Sequence, residues 1–150
     1  MSAWYCSALP PRWIRLQICL WPRRQWSCWQ VASQYLVQHL ANNYAYALVR
    51  LERFEEAKAL FRREIPVARR VLGDNHRLAL RMRSNYAEAF CKDDGTTLDK
   101  LREALTSLEE TRRVAWRVLG GAHPVAGEIE ENLRDARAAL AARETPPPGT

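Results

Sequence analysis

Val71-Leu72-Gly73-Asp74-Asn75-His76 returns 47 positions later as Val118-Leu119-Gly120-Gly121-Ala122-His123, followed by Pro124. Each copy ends an apolar stripe of helical spacing, then offers a glycine where a left-handed cap is easiest and a histidine that leads into the next stripe. Pro124 suits a first helical turn. A turn repeated at this spacing, with apolar stripes on both sides, is the mark of a helical array rather than a single bundle.

Working outward, Asn43-Tyr44-Ala45 recurs as Asn85-Tyr86-Ala87, 42 positions on. Asn85 in turn matches Asn132 at the 47-residue spacing, with Leu133 in place of Tyr86. The change of period places five extra residues before Leu101-Arg102-Glu103-Ala104, and the turn-like run Lys92-Asp93-Asp94-Gly95-Thr96-Thr97 is their natural site. Apolar stripes predict five helices, at about residues 30–51, 54–72, 77–91, 97–119 and 124–142. No segment alternates with the period of a strand. The fold class is therefore all-α: antiparallel helix-pair repeats stacked as a short right-handed α-solenoid. Neither helix of a pair can bury its stripe alone, so stacking supplies the core and leaves one concave face.

Three regions follow. Residues 1–30 hold Trp4, Trp13, Trp21, Trp26 and Trp29, are broken by Pro10, Pro11 and Pro22, and carry Arg12, Arg15, Arg23 and Arg24 without one acid. They read as a poorly ordered stretch, either a stray upstream segment or the remnant of an earlier helix. Residues 31–143 form the repeat domain of about two and a half repeats. Residues 144–150, with Pro146, Pro147, Pro148 and Gly149, read as a disordered tail.

The formal net charge is +6, but residues 1–40 hold most of it, so the repeat region is near balance. This weakens any nucleic-acid reading. Arg62, Arg63, Arg69 and Arg70, echoed by Arg112, Arg113 and Arg117, are interleaved with glutamates and read as a solvated outer face. Trp116 reads as a packing residue. Cys6, Cys19, Cys28 and Cys91 fit no zinc spacing, and reduced thiols point to a cytoplasmic setting. There is no stretch of membrane-spanning length. Walker, GxSxG and HExxH motifs are absent, so the expectation is a binding protein without cofactor or metal rather than an enzyme. His76 and His123 read as helix caps rather than ligands.

The motifs Asn42-Asn43-Tyr44-Ala45, Arg53-Phe54-Glu55-Glu56-Ala57 and Val71-Leu72-Gly73-Asp74-Asn75-His76, with their second copies, resemble the tetratricopeptide repeat. They are most similar to the 42-residue form of kinesin light chains, over about residues 36–140. The resemblance implies a protein–protein interaction module whose first helices line a groove for a peptide or partner protein. By motif position the groove residues are Asn42, Asn43, Tyr46 and Arg50, then Ser84, Asn85, Glu88 and Lys92. Arg50 and Lys92 would favour an acidic ligand. Asn43 and Asn85 have a second reading, in which they merely bond neighbouring backbone between repeats. Motor attachment does not carry over, because residues 1–30 contain no heptad coiled coil. Four departures mark a degenerate array. Glu52 stands at a turn position that favours glycine, and Arg77 replaces a proline. Glu64 sits where a small alanine is usual, and Pro66 should kink or interrupt its helix. The alternatives are a residual array fragment with a structural or self-associating role through exposed end helices, and an RNA-binding helical repeat.

Overall fold

The computed structural model describes residues 23–145 in backbone and 32–145 in side chains; the expectations for residues 1–22 and 146–150 lie outside these. The chain divides into two compact units, Met1–Ser33 and Gln34–Thr150, and the second holds the repeats. Five helices are described: α1 (Arg23–Arg50), α2 (Phe54–Leu72), α3 (Arg77–Lys92), α4 (Leu98–Leu119) and α5 (Pro124–Glu144). The described residues contain no strand. α1 starts seven residues before its expected onset at 30, so Trp26 and Trp29 belong to it.

The two copies of the turn are the same down to their hydrogen bonds. Gly73 and Gly120 take φ +96° and +84°. Their N–H groups donate to Arg69 O and Trp116 O, and their carbonyls accept from the N–H groups of His76 and His123, each at 3.2 Å. The histidines then cap the next helix. His76 Nδ1 accepts from Leu78 N at 3.2 Å, and His123 Nδ1 accepts from Val125 N at 3.1 Å. A ring nitrogen thus satisfies one of the free N–H groups of a helix start, so the repeated histidine is a structural cap.

Stacking follows the repeat. α3 packs against α2, α4 and α5, and α4 packs against α5. One core joins Ala45, Leu48 and Val49 of α1 to Ala57, Phe61 and Ala68 of α2 and to Leu78, Ala79, Met82 and Ala89 of α3. A second joins Ala87 and Cys91 to Leu101, Ala104 and Leu108 of α4 and to Leu133 and Ala136 of α5. Leu80 with Ala115, Val125 and Ile129 continues it. This is an all-α helical-repeat solenoid, in which each stripe is covered by its neighbours.

Pro66 does not interrupt α2, which runs unbroken from Phe54 to Leu72. Proline removes only its own N–H bond, and it lies on the exposed side, where water reaches the freed carbonyl. The five inserted residues divide between loop and helix. The α1–α2 connection has residues 51–53, whereas the α3–α4 connection has 93–97, and α4 starts one turn earlier than α2 relative to the motif. Trp116 is half-exposed rather than packed inside: its ring lies under the Arg112 guanidinium at 5.1 Å and closes over Gly121.

Candidate functional site

The helices α1, α3 and α5 occupy equivalent places in successive repeats, so one face of the stack is built from three copies of one helix position. Two rungs, one buried and one partly buried, tie these copies together. Asn85 Nδ2 donates to Asn42 Oδ1 at 3.1 Å, and Asn132 Nδ2 donates to Ser84 Oγ at 2.9 Å. Asn42 and Ser84 are equivalent positions, as are Asn85 and Asn132, so the rung repeats with the array. An amide suits it because one group donates while the other still accepts.

Beside these rungs lies a pocket of about 380 Å³, lined by Asn42, Asn43, Tyr46, Arg81, Asn85, Glu88, Glu128, Glu131 and Asn132. Five of the eight expected groove residues therefore meet in one place: Asn42, Asn43, Tyr46, Asn85 and Glu88. The other three stand apart from it. Ser84 is 1% exposed and spends its oxygen on Asn132, so it is a rung rather than a ligand contact. Arg50 is exposed at the end of α1. Lys92 pairs with Glu88, Nζ to Oε1 at 2.5 Å. Of the five that meet, Asn42 and Asn85 are buried and bonded to each other. Asn85 does join neighbouring repeats, but through the Asn42 side chain rather than through backbone. Asn43 is exposed and bonds within its own helix, to His39 at 3.2 Å.

Motif matching missed Arg81, Glu128, Glu131 and Asn132. Arg81 and Glu128 lie 47 residues apart and form a two-pronged ion pair, with Nε to Oε2 at 2.6 Å. Burial of this pair is partial, and the Glu128 hydrogen bond is the main cause that raises the Arg81 pKa. The period that aligned Asn85 with Asn132 also aligns Arg81 with Glu128, and their opposite charges were the available signal. Glu131 lines the pocket and has no ion pair among the described residues. The pocket's carboxylates thus outnumber its cation.

Three arginines of the Arg runs are engaged in ion pairs: Arg63 with Glu64 at 2.8 Å, Arg69 with Asp74 at 2.5 Å, and Arg112 with Glu130. No group of three His, Cys, Asp or Glu side chains among the described residues is placed to hold a metal ion. No helix among them is long and apolar enough to cross a membrane.

A stack of paired helices with a polar pocket on its repeated face is the architecture of a helical-repeat protein. Residues 36–95 match the family model described as tetratricopeptide repeat, which supports reading the chain as a tetratricopeptide repeat protein. Domains of that family generally mediate protein–protein interaction. No curated protein and no solved structure matches the chain.

Proposed function

We propose that this chain is a cytoplasmic protein-interaction module that holds an extended segment of a partner protein in the α1–α3–α5 pocket. The observation that carries the reading is the pocket lining itself. The rungs engage Asn42, Asn85 and the Asn132 amide nitrogen, while Asn43, Tyr46 and Glu131 also line the cavity with bonding capacity to spare. Amide and phenol groups of this kind bind a peptide backbone without demanding one sequence. The acidic ligand expected from Arg50 and Lys92 loses its basis, because neither cation lines the pocket. Unpaired Glu131 instead favours a ligand with a cationic side chain.

The test is selection from a displayed library of random extended peptides against the full chain. Selected peptides are expected to carry Lys or Arg. Each of Tyr46→Ala and Glu131→Ala is expected to weaken them about tenfold, about 1.4 kcal/mol. Affinities unchanged in both variants would remove the pocket from the binding site.

A further inference from the structure

Among the described residues, the two ends of the array present different faces. The outer face of α1 exposes Leu36 (61%), Val37 (57%), Leu40 (67%) and Tyr44 (59%), with exposed Leu51 in the turn that follows the helix. These are not random surface positions. Forty-two residues on, they correspond to Leu78, Ala79, Met82 and Tyr86 of α3. There, Leu78, Ala79 and Met82 are at most 3% exposed, and all four sit in the core against Phe61 and Ala68 of α2. The stripe that α3 buries under a preceding helix is thus open on α1. It is also without charge: residues 25–49 contain no Asp, Glu, Lys or Arg. A solvated helix face is normally charged, so this one is built to be covered.

The opposite end differs. Residues of α3 that meet α4, namely Leu80, Ala87 and Cys91, correspond at the 47-residue spacing to Gly127, Arg134 and Ala138 of α5. All three are exposed, and the face is small and polar. Stacking the α1 stripe of one copy on the α5 end of another would set leucines against Arg134, so an open head-to-tail polymer is disfavoured.

We infer that the α1 stripe pairs with the same stripe of a second copy, giving a closed two-fold dimer. A two-fold contact needs a self-complementary surface, and an uncharged apolar stripe meets that need without like-charge repulsion. The five side chains leave roughly 600 Å² bare, so two copies bury roughly 1,200 Å², the lower edge of stable interfaces. That area fits a dimer of micromolar strength, and the α1–α3–α5 pocket uses other residues of α1.

Light scattering on the full chain after size exclusion, loaded well above micromolar concentration, tests this. The expected mass is twice 17.3 kDa. Leu40→Glu and Leu40→Lys are each expected to run as monomers with an unchanged helical spectrum, since Leu40 is outside the core of one chain. Mixing the two variants is expected to restore the dimer, which a misfolded variant would not do. A wild-type chain that stays at the mass of one copy overturns the inference, whether the stripe is then covered by residues 1–22 or by another protein's helix. So does a dimer indifferent to both substitutions.

Discussion

Glu52 adopts φ +60° in the turn between α1 and α2. A side chain in this left-handed region costs about 1–2 kcal/mol, because its Cβ crowds the backbone. The turn is nonetheless closed, by Glu52 N to Val49 O at 3.1 Å and Arg53 N to Leu48 O at 2.9 Å. Glu52→Gly is therefore expected to stabilise the fold by up to about 1 kcal/mol, after subtracting the extra chain entropy of glycine. A rise in the urea midpoint checks it; a fall would mean that the Glu52 side chain has a role of its own. His76 makes a second prediction at this scale. Burial, then the charge of Arg77, lower its pKa. The folded state thus prefers the neutral ring that accepts from Leu78, and this contribution is complete above about pH 6.5 and lost as the pH falls below it. Melting temperature measured against pH is expected to drop there, and His76→Asn, which caps without titrating in this range, is expected to flatten the drop.

Among the elements, the α3–α4 loop shows how an insertion is accommodated. Lys58 of α2, 4% exposed, pairs with Asp93 and also reaches Glu55 at 3.0 Å, while its ammonium lies 4.7 Å from the Phe90 ring centre. Burial opposes its charge, but the hydrogen bonds to Asp93 and Glu55 prevail and raise the pKa. The same pairing lowers the Asp93 pKa. From α5, Arg143 donates to the carbonyls of Thr96 and Asp93, both at 3.0 Å. The loop is thus tied to both neighbouring repeats. Breaking a buried pair costs more than never having it, so Lys58→Met is expected to lose about 3 kcal/mol. Lys58→Met with Asp93→Ala is expected to recover part of that loss. Urea unfolding of the two variants measures both terms, and equal losses would mean that the packing of Lys58, not its charge, matters. Helix positions and the turn at Gly73 and Gly120 were legible in the sequence, because apolar period and glycine chemistry act locally. The loop's partners were not, since Lys58 and Arg143 reach it from 35 and 47 or more residues away. Nor was the exposure of Leu36 and Leu40, whose spacing reads as core until the covering helix is sought.

At the scale of the molecule, the period that builds the core also builds the site. Equivalent positions in α1, α3 and α5 yield the rungs and the pocket together, so motif matching picked residues on the pocket face but could not tell a rung from a side chain that lines the pocket. Asn42 and Asn85 differ from Asn43 only in which way the stack turns them, and that depends on a partner 43 residues distant. The sharpest test separates these roles inside one face. Backbone and side-chain amide resonances of the ¹⁵N-labelled full chain would be followed while a selected peptide is titrated. The side-chain amide of Asn43 is expected to shift with the peptide, whereas those of Asn85 and Asn132, locked in their rungs, stay nearly still. Backbone shifts confined to the outer faces of α2 and α4, with Asn43 unmoved, would contradict a binding site in the α1–α3–α5 pocket.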